Sequence, residues 1–144
     1  MEGKNGAVTD LTVSDVERVL YSGAGVPVEV AGGADLAHSQ LEHALQTAAV
    51  LREWMPDDDE LMVAGLVHDI GHLLPGVNDA NHASAGAAAV RHALGERVAA
   101  LVGLHVEAKR YLVTTEGRYG GALAPDSVAS LVLQGGPITY RSFP

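Results

Sequence analysis

The sequence LVHDIGHLL, residues 66–74, places two histidines and an aspartate inside a run that otherwise has the composition of a buried helix. The surrounding segment, 59–74, is apolar on nearly every side, which is typical of a helix at the centre of a domain. Burying an unpaired carboxylate costs several kcal/mol, so Asp69 needs a partner. A single histidine on such a helix is usually a hydrogen-bonded core residue, but three ionisable groups together favour a metal site. A continuous helix would place His68 and His72 one turn apart on one face.

Helical periodicity recurs along the chain, whereas strand signals are weak throughout. The Gly-rich segment SGAGVPVEVAGGAD, residues 22–35, has no strong pattern and is predicted to be a loop. The predicted helices span 12–21, 39–55, 59–74, 81–94 and 97–114, followed by a short sixth helix from 126 or 127 to the glycines at 135 and 136. The sequence therefore predicts an all-α fold of five to six helices.

Composition and charge narrow the possible functions. The 144 residues, 47% of them apolar, suffice for one domain with a substantial core. A formal net charge of −9 argues against a nucleic-acid surface, and the absence of cysteine excludes disulfides, thiolate metal sites and cysteine nucleophiles. No apolar run reaches the roughly 18–20 residues of a membrane span, and the N-terminus lacks a signal peptide pattern. We expect one cytoplasmic domain that binds neither nucleic acid nor membrane.

Further histidines stand on other predicted helices. His43 lies on the second helix, His82 opens the fourth and His105 falls on the apolar stripe of the fifth. Lys109 follows one turn after His105, where it could extend outward to solvent or turn inward and bind an anion. We favour the inward orientation because of the neighbouring histidine. Imidazole and carboxylate ligands suit iron, whereas magnesium and calcium prefer oxygen ligands.

The order of these residues resembles a known ligand pattern. His43, the pair His68–Asp69, His82 and His105, on successive helices, resemble the HD-domain superfamily, whose members are mostly metal-dependent phosphohydrolases. The segments SQLEHALQTA, LVHDIGHLL, LHVEAKRYL and SVASLVLQGGP are similar to the branch of HD-domain mixed-valent diiron oxygenases. That branch includes a 2-amino-1-hydroxyethylphosphonate dioxygenase and, more distantly, myo-inositol oxygenase. The resemblance covers about residues 36–137.

The resemblance implies a function and a set of roles. It implies a diiron oxygenase that uses dioxygen to cleave the C–P bond of a small anionic phosphonate or a related hydroxylated substrate. The implied cofactor is a mixed-valent pair of iron ions, with manganese, zinc or another divalent metal as alternatives. The implied metal ligands are His43, His68, Asp69, His82 and His105, with Asp69 as the bridge between the two ions. The implied catalytic and substrate-binding residues are His72, Lys109, Ser127 and Gln134, of which His72 and Lys109 are the catalytic pair.

Two other functions stay open. A metal-dependent phosphohydrolase would act on a phosphate ester or nucleotide, with metal-activated water and with His72 or Lys109 polarising the phosphate. A catalytically inert binding domain could instead keep the HD scaffold. The family pattern ends in an aspartate ligand that would fall beyond residue 144, and no acidic residue follows Asp126. We therefore expect a single HD-type domain over residues 1–144 that lacks the family's C-terminal helix, and a homo-oligomer is left open.

Overall fold

The computed structural model describes residues 10–30 and 33–115. Within these ranges the chain forms five α-helices and one antiparallel pair of strands. The helices are α1 (Val13–Ser22), α2 (Gln40–Trp54), α3 (Asp59–Val67), α4 (His82–Leu94) and α5 (Glu96–Thr115), and the strands are β1 (Pro27–Val30) and β2 (Gly33–Ser39). No described helix is both long and apolar enough to cross a membrane. The all-α class is confirmed, and the predicted sixth helix lies outside the described residues.

Local capping signals explain where the helices begin. Thr12 and Asp15 form a reciprocal capping box at the start of α1, and Ser39 and Glu42 form another at the start of α2. The Asp58 carboxylate accepts a hydrogen bond from a backbone N–H in the first turn of α3. Because these residue types satisfy otherwise unpaired N–H groups, the predicted helix starts agree with the observed ones to within one residue.

The core is built from small and β-branched side chains. Helices α4 and α5 form the most extensive contact in the described part of the chain, and α2 packs along α3. The buried cluster comprises Val16, Leu20, Ala44, Ala64, Val67, Ile70, Ala87, Val90, Val98, Ala99 and Val102. Small residues allow helix axes to approach closely, since side-chain size at the contact sets the distance between the axes. This packing brings the start of α4 against the middle of α5.

The predicted helix over 59–74 is wrong in its second half. Helix α3 ends at Val67, and a separate 3-10 helix follows at Ile70–Leu73. Between them Asp69 has φ −104° and ψ 14°, which interrupts the α-helical hydrogen-bond ladder. His68 and His72 therefore do not share one face of one helix. Apolar residues continue through the break, so hydrophobic periodicity alone did not reveal it.

The Gly-rich segment predicted to be a loop contains a β-hairpin. Strands β1 and β2 pair antiparallel, with Val28 opposite Asp35 and Val30 opposite Gly33. The backbone N–H of Gln40 donates to the carbonyl of Val26 at 2.8 Å, which ties the hairpin to the start of α2. Valines at alternate positions are the strand signal in this segment, but a four-residue strand among glycines is too short to stand out.

An ion pair joins α5 to the start of α3. The Arg97 guanidinium donates to both carboxylate oxygens of Asp58, at 2.7 and 2.8 Å, and also to Glu60 at 3.2 Å. Two parallel bonds of this kind are stronger than a single contact. The hydrogen bonds from Arg97 lower the pKa of Asp58 from 3.8 to about 2. The acidic run 57–60 is thus both a helix start and an interhelical link.

Acid should remove the contribution of this ion pair to stability. Because the pKa of Asp58 is lower in the folded state, its stabilisation is complete above the ordinary value of 3.8 and is lost as the pH falls toward about 2. We expect Asp58→Asn to lower the urea concentration at the midpoint of unfolding at neutral pH. The difference from the wild type should shrink as the pH falls from 3.8 toward about 2. Asp57→Asn removes the same charge from an exposed neighbour and is the control. A deficit that does not change with pH would contradict the prediction.

Gly71 lies where the 3-10 helix Ile70–Leu73 passes close to the backbone of the first residue of α4. A Cβ atom at Gly71 would lie 2.1 Å from the carbonyl oxygen of His82, so the two backbones would have to separate. We expect Gly71→Ala to destabilise the protein by roughly 1–3 kcal/mol, the usual cost of overpacking. At Gly25, in the other 3-10 helix, an added Cβ would meet nothing within 4 Å. Chemical denaturation of Gly71→Ala and Gly25→Ala should therefore differ clearly, and equal effects would refute the argument.

Candidate metal centre

The Asp69 carboxylate lies at the centre of four imidazoles. Its Oδ2 atom is 3.1 Å from Nε2 of His43 and 3.3 Å from Nε2 of His68. Its Oδ1 atom is 3.1 Å from Nε2 of His82 and 3.3 Å from Nε2 of His105. Each carboxylate oxygen thus faces its own pair of histidines. The first pair is His43 and His68, and the second pair is His82 and His105.

Four different elements deliver these side chains. His43 comes from α2, His68 is the residue directly after α3, His82 is the first residue of α4 and His105 lies within α5. Asp69 occupies the break between α3 and the following 3-10 helix. The structure therefore brings together all five residues that were predicted as metal ligands, although they are distant in sequence.

Backbone carbonyls orient three of the four rings. In each case the imidazole Nδ1–H donates to the carbonyl oxygen of the residue three positions earlier. The pairs are His68 with Gly65 at 2.7 Å, His82 with Asp79 at 3.0 Å and His105 with Val102 at 2.7 Å. A carbonyl can only accept, so the proton resides on Nδ1 in the neutral rings and Nε2 presents a lone pair. This is the arrangement that metal-ligating histidines adopt.

The spacing of the Nε2 atoms fits a cation between them. The Nε2 atoms of His43 and His68 are 3.2 Å apart, and those of His82 and His105 are 3.1 Å apart. Two lone pairs at this distance repel each other unless a positive charge lies next to both. Two nitrogens that each lie about 2.1 Å from one metal ion, at right angles, are about 3 Å apart. The donor set and its spacing therefore fit metal binding.

The electrostatics of the cluster favour positive charge beside Asp69. Burial raises the pKa of the Asp69 carboxyl, but the charge of a protonated His68 and the imidazoles of His105 and His43 beside the carboxylate lower it more, and the net pKa is well below the ordinary value. Burial likewise opposes protonation of His68, yet the neighbouring carboxylate outweighs it and the pKa of His68 is raised. The ionised carboxylate thus attracts a cation, which a proton or a metal ion can supply.

His72 stands beside the cluster rather than within either pair. Its Nε2 is 3.9 Å from Oδ1 of Asp69 and 3.6 Å from Oδ1 of Asp79. The ring stacks on His82, with centroids 4.0 Å apart and planes inclined by 19°. Burial is the main reason that the pKa of His72 is lowered. His72 also forms, with Asp69 and His82, a group whose ligand atoms lie close enough together to hold a metal ion. Its predicted contact with substrate stays a prediction.

Lys109 is the basic residue that follows His105 on α5. It lies on α5 one turn after His105 and is partly buried. Its positive charge acts to lower the pKa of His68. The inward orientation of its side chain stays a prediction.

Three remaining residues complete the comparison with the sequence predictions. Ser127 and Gln134, predicted to bind substrate, lie outside the described residues. No sequence pattern predicted a role for Asp79, whose backbone oxygen contacts His82 and whose carboxylate approaches His72. The Asn/Asp-rich stretch NDANH, residues 78–82, is typical of a tight turn and is the signal that marks this position.

Comparison with known proteins identifies relatives. The chain is 36% identical over 105 residues to [1-hydroxy-2-(trimethylamino)ethyl]phosphonate dioxygenase (glycine-betaine-forming) of Leisingera caerulea, covering 67% of this chain and 53% of that protein. It is 38% identical over 114 residues to hydroxymethylphosphonate dioxygenase of Gimesia maris, covering 73% of this chain and 56% of that protein. A segment of 40 residues, 28% of this chain and 13% of its relative, is 50% identical to inositol oxygenase 1 of Arabidopsis thaliana. The chain spans about half the length of the two phosphonate dioxygenases.

These relatives confirm the predicted resemblance to the oxygenase branch. The HD domain family matches residues 41–132, more than half of the chain, and this range contains His43, the His68–Asp69 pair, His82 and His105. The chain therefore belongs to the HD domain family.

Proposed function

We propose that the protein is an iron-dependent oxygenase that uses dioxygen to cleave the C–P bond of a small organophosphonate. One observation supports this most directly: the two oxygens of Asp69 face two separate pairs of imidazoles. Such a donor set suits two transition-metal ions that share one carboxylate. Two relatives, both phosphonate dioxygenases, supply the reaction class.

The ligands divide into two sets. His43 and His68, with Oδ2 of Asp69, would hold one ion, whereas His82 and His105, with Oδ1, would hold the other. Imidazole favours iron, manganese or zinc over magnesium and calcium. A bound iron pair supplies the one-electron chemistry that reaction with dioxygen requires. Each ion would have three ligand atoms from the described residues.

The substrate would lie beside the metal ligands. A phosphonate carries up to two negative charges, and the Lys109 ammonium near His68 offers the opposite charge. The imidazole of His72, stacked on His82, offers a hydrogen-bond donor on the other side of the cluster. We propose that Lys109 and His72 hold the phosphonate and orient its carbon toward the metal pair. Ser127 and Gln134 are proposed to complete the anion site.

The same anion-binding groups also suit a phosphate ester. Lys109 and His72 would hold a phosphate as they hold a phosphonate, and the ions would then activate water. A metal-dependent phosphohydrolase is therefore the second candidate. The two candidates differ in the metal required and in whether dioxygen is consumed.

Metal content and oxygen uptake test the proposal. We expect the full chain, reconstituted with ferrous iron without oxygen, to bind two iron ions and to consume dioxygen with hydroxymethylphosphonate. Asp69→Ala removes a ligand from both sets and should weaken iron binding by more than roughly 100-fold, beyond the cost of losing an outer-shell partner. His92→Ala, at an exposed histidine on α4, is the control.

The alternative results are distinct. Hydrolysis of a phosphate ester with manganese, without oxygen uptake, would support the phosphohydrolase. If the chain binds no transition metal after reconstitution, both proposed enzyme activities are refuted. The function that then remains is that of a catalytically inert binding domain.

Removal of the Lys109 charge should weaken substrate binding and spare the metal. We expect Lys109→Met to raise KM for the phosphonate roughly 10- to 100-fold, the range for losing a hydrogen bond to a charged group. Iron content should stay at the wild-type level because Lys109 is not a proposed ligand. Lys109→Arg keeps the charge and should restore part of the affinity. An unchanged KM in Lys109→Met would exclude the anion-binding role.

A further inference from the structure

We propose that Asp79 is a positioning residue that fixes His82 through its backbone carbonyl and His72 through its carboxylate. A single turn residue would then align one ligand of the second metal ion and the substrate contact stacked on it. This inference rests on the metal centre and substrate contact proposed above. The two contacts use different groups of Asp79, so mutations can separate them.

Asp79 is held in a turn that is closed by its neighbours. The side-chain oxygen of Asn78 accepts from the backbone N–H groups of Ala80, at 2.9 Å, and Asn81, at 3.1 Å. The side-chain oxygen of Asn81 accepts in return from the backbone N–H of Asn78 at 2.9 Å. This reciprocal set of bonds constrains the backbone on both sides of Asp79. The direction of its carbonyl is therefore fixed by two asparagine side chains and not by its own carboxylate.

The backbone contact orients His82. The Asp79 carbonyl accepts from Nδ1 of His82 at 3.0 Å, and only 1% of the His82 surface is exposed. Water has little access to replace that acceptor, so the carbonyl determines which nitrogen carries the proton. The other nitrogen, Nε2, then faces Asp69 and His105, both at 3.1 Å. If the carbonyl turns away, the ligand set of the second ion loses its alignment.

The side-chain contact acts on His72. The Nε2 atom of His72 lies between two carboxylate oxygens, 3.6 Å from Asp79 and 3.9 Å from Asp69. The stack on His82 fixes the plane of the His72 ring. The ring can still rotate within that plane, and the groups that face Nε2 determine its orientation. Because Asp69 is shared by four other imidazoles, Asp79 is the carboxylate that can direct His72 specifically.

Two variants separate these contacts in the full-length chain loaded with zinc, which is diamagnetic. Asp79→Asn removes the charge that faces His72 but keeps the backbone carbonyl and the asparagine bonds. We expect it to bind zinc as tightly as the wild type, with shifted imidazole NMR signals for His72 and with the proton of His82 still on Nδ1. Binding of methylphosphonate, measured by calorimetry, should weaken roughly tenfold, as for loss of one well-aligned hydrogen bond. Asp57→Asn, at an exposed carboxylate on another loop, is the matched control.

The second variant removes the turn bonds and keeps Asp79. The double change Asn78→Ala with Asn81→Ala should lower zinc affinity roughly 10- to 100-fold, the usual effect of losing an outer-shell partner of a metal ligand. A purely structural role for the turn would lower the melting temperature of the zinc-free protein and leave the zinc affinity of its folded fraction unchanged.

The outcomes decide between the hypotheses. Loss of zinc in Asp79→Asn, unmoved His72 signals, or wild-type zinc affinity in the double variant would each overturn the positioning role. If wild-type protein binds zinc, the NMR and zinc results are as expected, and no methylphosphonate binds, the positioning role stands and the proposed substrate class is wrong. If methylphosphonate binds and His72 does not move, the substrate class stands and the inference fails.

Discussion

The structure depends on one ionised carboxylate shared by four imidazoles. Asp69 is partly buried, with 22% of its side chain exposed, and four imidazoles surround its carboxylate. A carboxylate withdrawn from water in this way is stable only beside donors or a cation. Four elements must therefore each place an Nε2 atom within 3.3 Å of it. The break after α3 serves the same requirement, because it turns Asp69 out of the helical ladder. Helices α2, α4 and α5 are therefore packed so that each brings one histidine to Asp69.

Close packing of small residues makes that meeting possible. An added Cβ at Gly86 would come within 3.3 Å of the backbone nitrogen of Gly71, and one at Gly103 within 3.4 Å of Ala87. The contact at Gly86 is tight and the one at Gly103 is an ordinary van der Waals contact, so a side chain beyond a methyl group at either position would press α4 away from its neighbours. The Nε2 atoms of His82 and His105 could then not lie 3.1 Å apart. The alanine-rich composition of α4, with its single glycine at Gly86, is therefore a condition for the geometry of the site, beyond its effect on helix propensity.

Sequence patterns predicted those features that depend on local chemistry. Capping residues and apolar periodicity located the helices, and histidines at inward positions, with the family resemblance, identified the residues around Asp69. The break at Asp69 was missed because apolar residues continue through it, so the hydrophobic pattern has no interruption there. The hairpin was missed because β1 has only four residues and lies in a Gly-rich stretch of the sequence. A backbone carbonyl such as that of Asp79 leaves no residue signature at all, so only the structure could reveal its contact with His82.

The geometry also links metal binding to folding. The lone pairs of the histidine nitrogens converge only in the folded chain, so a cation binds the folded state and has no comparable site in the unfolded one. At a concentration 100 times its dissociation constant, such a ligand adds about 2.7 kcal/mol to stability. Features that are unfavourable by themselves, such as a partly buried carboxylate, an interrupted helix and facing lone pairs, are the same features that would bind a cation. Such features are expected together at a functional centre, because the free energy of ligand binding can offset a local loss of stability.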